Sequence, residues 1–217
     1  NACDPPAVRL LIPAAAAAGR CLQADQADHA VGLRWLRLHL AGLDLAGQRE
    51  QFLAAVAARE DLPAPLRAEA AAQRGGVLFG MGERRAAGEA FDAALALDAA
   101  NRAALEGRLE LAGPLEAARA EAAAGLLAGN PSSVPAALEL ADALDAIGLY
   151  AEAVELYEHA EAVQRARQAD WQAPAGLVVR HANALLNASR PADAEALLAP
   201  AVERSGDGGA DLRSLLV

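Results

Sequence analysis

Lysine is missing from this chain of 217 residues: all 19 of its basic residues are Arg, against 29 Asp and Glu. The resulting charge of −10 at pH 7 argues against a general nucleic-acid binder, whose affinity comes from neutralising phosphates with cations. Arg without Lys is read as the codon bias of a GC-rich bacterium. Two Cys are too few for a disulfide scaffold. Aromatics make up 3% and β-branched residues are few, which excludes a β-sandwich or barrel. Long apolar runs are also lacking. Leu10, Leu11 and Ile12 precede five Ala at 14–18, but Pro13 interrupts them and the stretch falls short of the roughly 18 residues a membrane span needs. What is present is Ala, about 60 residues of it, within a hydrophobic share of 54%. Ala is the strongest helix former, and the length suffices to bury a core.

The opening Asn1-Ala2-Cys3 has no initiator Met and is read as a processed or excised piece, with Asn1-Ala2 resembling a cleavage scar. Cys3 is then either the lipid-bearing first residue of a mature lipoprotein or a boundary inside a longer protein. Ala18-Gly19-Arg20-Cys21 is not a lipobox, because Arg20 stands where a small residue is required. Spacing alone does not decide whether Cys3 and Cys21 pair. The expected location is cytoplasmic, with a periplasmic, lipid-anchored form through Cys3 as the alternative.

Helical stretches broken by Gly, Pro or Asn fill the chain and prompt a search for an internal period. Gly82-x4-Ala87-x3-Phe91-x2-Ala94 aligns with Gly148-x4-Ala153-x3-Tyr157-x2-Ala160 at a constant offset. Upstream, Ala71-x2-Arg74-Gly75-x2-Leu78 aligns with Ala137-x2-Leu140-Ala141-x2-Leu144 at the same offset. A further copy reads Val178-x2-His181-Ala182-x2-Leu185, then Ala194-x3-Leu198-x2-Ala201, and a worn one reads Leu105-x2-Arg108-Leu109-x2-Ala112. Small residues at Gly75, Ala141, Ala182, Ala87, Ala153 and Ala194 let paired helices approach closely. Phe91, Tyr157 and Leu198 fill the space between pairs. Gly82 and Gly148 fall where a first helix must stop, a natural left-handed C′ position.

This pattern resembles the tetratricopeptide repeat (TPR) family: a large residue, Leu, Gly/Ala and Tyr on a first helix, then Ala, Phe/Tyr, Ala and Pro on a second. Gly148-x-Tyr150-x-Glu152-Ala153 is the closest match, and Ala99 stands in the place of the closing Pro. The resemblance implies an all-α, right-handed α-solenoid of antiparallel helix pairs with about 11 or 12 helices. Four repeats are expected over 68–101, 102–133, 134–167 and 175–208. A worn helical pair over 4–67 precedes them, carrying Trp35, Leu36, Leu38, Leu40, Phe52, Leu53 and Val56, and a C-terminal capping segment begins at 209. Three departures stand out. The second copy is short, seven residues (168–174) precede the last, and Pro200 sits inside a second helix.

Constellations that could carry chemistry give way to plainer readings. Asp25, Asp28 and His29 lack a fourth ligand and read as acidic residues near the positive end of a helix. Glu155, Glu158, His159 and Glu161 resemble a di-iron carboxylate helix, but such helices need Glu three residues before His and Leu156 stands there. Gly206-Asp207-Gly208-Gly209 follows a helix without a P-loop Lys and reads as a loop. Asn187-Ala188-Ser189 matches a glycosylation sequon and is read as chance. No catalytic residue, metal site or cofactor is expected.

In TPR proteins, ligand peptides lie on the concave face formed by first-helix positions. Carried over, the resemblance assigns Glu69 and Phe79 over a floor of Ala72, Gly76 and Gly80, then Glu106 and Glu110. It goes on to Leu138, Asp142 and Asp145, and ends with Val179, Asn183, Leu186 and Asn187. Glu106, Glu110, Asp142 and Asp145 are expected to face one groove, with Asp142 and Asp145 exposed, favouring a basic or amphipathic protein segment. The Lys/Asn clamp of chaperone-tail binders has no counterpart in a chain without Lys. The expected function is therefore a non-enzymatic protein-interaction scaffold with a protein or peptide partner, no nucleic acid and no transmembrane segment. The alternatives are an accessory region of a larger bacterial enzyme or transcription activator, or a component of a periplasmic assembly.

Overall fold

The computed structural model describes residues 29–113 and 117–205. Ten helices follow in order: α1 (His29–Ala41), α2 (Ala46–Ala57), α3 (Ala64–Gly80), α4 (Arg84–Leu97), α5 (Arg102–Leu111), α6 (Ala117–Gly129), α7 (Val134–Ala146), α8 (Tyr150–Arg167), α9 (Ala175–Asn187) and α10 (Pro191–Ser205). No strand occurs among the described residues, in line with the all-α expectation. Cys3, Cys21, Asp25, Asp28, the Gly-rich 206–209 stretch and the cap from 209 lie outside the described residues.

Local chemistry sets the helix ends. Gly82 (φ 85°) and Gly148 (φ 86°) take the left-handed conformation after α3 and α7, where Gly has no Cβ penalty. The same turn recurs after α9 with Ser189 at φ 60°. In each, the following N–H closes the helix: Glu83 donates to Leu78 O at 2.9 Å, Leu149 to Leu144 O at 2.9 Å and Arg190 to Leu185 O at 2.8 Å. Asn101 starts α5, its Oδ1 accepting from the Ala104 N–H at 3.0 Å. Ser133 does the same for α7 through the Ala136 N–H, and Pro65 and Pro135 sit in first turns, where no N–H is needed.

The chain divides between Leu111 and Ala112 into two compact units. In the first, Trp35 and Leu36 of α1 pack with Phe52, Leu53 and Val56 of α2, and with Leu62 and Leu66. Leu38, expected with this group, is instead 50% exposed, because it lies about 200° around the helix from Leu36. The helix α3 begins at Ala64, so the expected 67/68 boundary falls inside it. An Ala-rich cluster then joins α3, α4 and α5: Ala71, Ala72, Leu78, Ala87, Ala90, Phe91, Ala94 and Ala104.

Phe91 sets the spacing there. A Cβ placed on Gly75 of α3 would meet its Cε1 at 2.5 Å, and one on Gly107 of α5 would meet its Cζ at 2.2 Å. The ring is therefore held between two helices that approach it backbone-first. Gly107 is not a position the repeat alignment marks. Asp92 and Arg108 pair at 3.2 Å between α4 and α5.

In the second unit, α7, α8, α9 and α10 enclose one cluster around Tyr157, Val154, Val178, Leu185 and Leu198, with Ala141, Ala153, Ala182 and Ala194 at the close contacts. Side chains of this size stabilise by about 1.5–3 kcal/mol each when taken from water. Arg119 of α6 pairs with Glu139 of α7. Pro200 lies inside α10 and removes one helical N–H. No helix among the described residues is long and apolar enough to cross a membrane.

Candidate partner-binding face

The expected face residues lie on first helices, α3 and α5 in the first unit and α7 and α9 in the second. In the first unit α3 and α5 pack directly on one another. Glu69 is half-buried and accepts from Gln73 Nε2 at 2.6 Å. Phe79 is half-buried, with the Arg84 guanidinium 5.4 Å from its ring centroid. Glu106 is exposed and accepts from Arg102 Nε at 2.6 Å. Glu110 is exposed with no ion-pair partner among the described residues. Of the expected floor, Ala72 is buried while Gly76 and Gly80 are open to solvent.

In the second unit Arg180 of α9 pairs with Asp142 of α7, bridging two first helices. Asp142 also accepts from the Tyr157 hydroxyl at 2.5 Å. Burial, then this hydrogen bond, pushes the Tyr157 phenol far above its ordinary range. Asp142 and Asp145 are half-buried, which corrects the expectation that both are exposed. The cause is the Tyr at the aromatic slot, since a buried Tyr hydroxyl needs an acceptor and Asp142 supplies it. Asp145 keeps one buried oxygen, Oδ1, without a partner among the described residues. Leu138 and Val179 lean on the core cluster. Asn183 is half-buried, and Leu186 (38% exposed) and Asn187 face solvent.

The four expected carboxylates are thus divided, Glu106 and Glu110 in the first unit and Asp142 and Asp145 in the second. Arg102 and Arg180 answer two of them. Arg180 itself was not among the expected face residues. Its signal in the sequence is an Arg beside Val179 on the same helix, 38 residues from the carboxylate it meets.

The acidic stretch of α8 spreads rather than converges. Glu155, Glu158 and His159 are exposed; Arg190 donates to Glu158 at 3.5 Å, and His159 Nε2 lies 2.8 Å from Pro131 O. Glu161 alone points inward, at 3% exposure. Its Oε1 lies 3.0 Å from His181 Nδ1 and its Oε2 accepts from Arg165. A carboxylate only accepts, so the His181 proton on this side belongs to Nδ1. His181 also stacks on Tyr157 at 5.4 Å. Its Nε2 is buried without a partner among the described residues. Among the described residues no three metal-ligating side chains converge. The repeat alignment gave no sign of this pair, since the slot of His181 holds Arg74, Arg108 and Leu140 in the other copies.

A separate concavity of about 230 Å³ opens beside Glu161, bounded by the end of α8, the 168–174 segment, the start of α9 and the second half of α10.

No family model matches the chain, and no curated protein matches it. Solved structures do. MamA from AMB-1 aligns with a TM-score of 0.56 at 12% identity, covering 94% of this chain and 96% of that one. A second MamA crystal structure gives 0.53 at 16% identity over 76% and 85%. TPR-like repeats of a kinesin light chain from Podosopora anserina give 0.50 at 20% identity over 91% and 95%. At such identities the likeness shows the fold, a TPR-type stack of helix pairs.

Proposed function

We propose that this chain, a TPR-type helical-pair protein by fold, is a non-enzymatic scaffold that holds a protein or peptide segment on the face of its first helices. We place its repeats over 68–101, 102–133, 134–167 and 175–208, after an N-terminal helical pair. The observation that carries the reading is the bridge from Arg180 to Asp142. It links two first helices through their side chains, and Asn183, Leu186 and Asn187 follow along α9. Asn amides can both donate to and accept from an extended backbone, and Leu186 offers an apolar anchor of the kind that dominates interfaces. Glu110, exposed without an ion-pair partner among the described residues, favours a basic or amphipathic segment. Because Arg102 and Arg180 already answer Glu106 and Asp142, the electrostatic share of binding is modest and the apolar share larger.

The test is a selection of random displayed peptides on the full chain, with affinities of the enriched peptides then measured on variants. Leu186→Ala with Asn187→Ala should weaken binding to the second unit's face about tenfold, roughly 1.4 kcal/mol. Glu155→Arg, on the exposed side of second helix α8, should change nothing. Peptides that ignore the first-helix variants and respond to Glu155→Arg would refute the assignment.

A further inference from the structure

We propose that the concavity beside Glu161 binds an acylated amino acid, meaning an apolar side chain that carries one carboxylate and one amide N–H. The inference lies beyond the first-helix face and does not depend on it. Its starting point is a coincidence in space. The 168–174 insertion and Pro200 are two separate departures from the repeat pattern, yet Trp171 and Pro200 line the same cavity.

The dimensions select a small occupant. About 230 Å³ lies below the roughly 300–1,000 Å³ of pockets for drug-sized ligands and suits one residue-sized group. Trp171 and Leu197 are partly buried on the core cluster and give the cavity an apolar wall. The charge selects the sign. Glu161 has both oxygens engaged, by His181 and Arg165. Arg204, in the last turn of α10, has no partner among the described residues. The uncommitted charge of the lining is therefore one guanidinium, which prefers a carboxylate and can bind it with two parallel N–H bonds. Pro200 has no N–H, so the carbonyl of Ala196 lacks the donor a regular helix would supply, and Ala196 lines the cavity too. An acceptor beside a cation and an aromatic wall matches an amide N–H next to a carboxylate and an apolar side chain.

Two sources share this chemistry: a free acylated amino acid, and the C-terminal residue of a peptide. The experiment titrates the full chain with N-acetyl-leucine, N-acetyl-leucinamide, and the peptide Ac-Ala-Ala-Ala-Leu with a free or amidated end, followed by 1H–15N NMR and calorimetry. The acids should shift the Trp171 indole and Leu197 amide signals, and each amidated partner should bind at least about tenfold more weakly. Arg204→Gln should remove that preference, and Trp171→Ala should weaken acid and amide alike. Leu186→Ala with Asn187→Ala should leave this binding unchanged, which separates its failure from failure of the first-helix face. A tetrapeptide that binds at least about tenfold tighter than N-acetyl-leucine assigns the site to a protein C-terminus; equal affinities assign it to the free acid. Equal binding of acid and amide, shifts confined to other regions, or an unaltered acid preference in Arg204→Gln would overturn the proposal.

Discussion

Phe91 in the first unit and Tyr157 in the second hold the same slot of the repeat and solve it differently. Phe91 is clasped by two glycines, so close that neither Gly75 nor Gly107 could carry a Cβ without moving the ring. Tyr157 faces Ala141, which keeps its Cβ, and extends its hydroxyl to Asp142, which in turn holds Arg180. Its other face stacks on His181, the partner of buried Glu161. The repeat pattern thus constrains size and spacing, while polarity is free to differ. One unit gains its contact from backbone proximity, the other from a polar chain that couples three helices.

The largest expected effect tests what the two units share. Ala87 and Ala153 are both fully buried at corresponding positions of second helices. Ala87→Arg and Ala153→Arg each force a charge into a close helix contact, at a cost of several kcal/mol. Thermal melting followed by circular dichroism should show a large drop for both. A wild-type melting temperature for either would mean the register of the pairs is wrong.

Next come the glycines, which only the first unit should need. Overpacking costs about 1–3 kcal/mol, whereas Ala gains up to about 1 kcal/mol over Gly as a helix former. Gly107→Ala and Gly75→Ala should therefore destabilise on balance, Gly107→Ala more because its contact is closer. Gly76→Ala, with nothing within 4 Å, should stabilise slightly. In a Phe91→Leu background the Gly107→Ala penalty should shrink, a coupling that denaturant melts of the double-mutant cycle would measure.

How far the sequence reaches follows from these same residues. The slots of Ala87, Phe91, Ala153 and Tyr157 repeat at one offset, so the helix pairs and their close contacts are legible in one dimension. Gly107 is not, because it answers a ring on the preceding helix and has no counterpart at that spacing. The candidate face was legible only in part. Position along a first helix identifies Asp142 as a face residue, but its burial depends on Tyr157 and its charge on Arg180, neither of which shares its helix. The cavity beside Glu161 was visible only as two unexplained irregularities, since nothing in the order of residues says that 171 and 200 meet.

The polar solution of the second unit should show itself in Tyr157→Phe. At neutral pH this removes one hydrogen bond while Asp142 keeps Arg180, so the cost is about 0.5–1.5 kcal/mol. At high pH the order should narrow or reverse. The folded phenol titrates above its ordinary value of 10.0, so from about pH 10 upward the unfolded chain releases a proton that the folded chain retains. Stability held below pH 10 is then lost as pH rises, by up to about 1.4 kcal/mol per unit. The Phe variant lacks this loss. Denaturant melts at pH 8 and pH 11 would expose it, and parallel pH dependence in the two proteins would refute the coupling.

The smallest effect concerns the turn both units share. Gly82 and Gly148 occupy it freely, but Ser189 holds the same left-handed conformation with a side chain, at a cost of about 1–2 kcal/mol for an L-residue. Ser189→Gly removes that strain and adds about 0.4–1 kcal/mol of backbone freedom to the unfolded chain. The gain should exceed the loss by up to about 1 kcal/mol, a rise of a few degrees in melting temperature. Ser189→Ala keeps the Cβ and should not rise, because it leaves the strained backbone as it was. If both variants melted with the wild type, relief of backbone strain would not be limiting at this turn. The three helix ends would then differ in residue but not in energy.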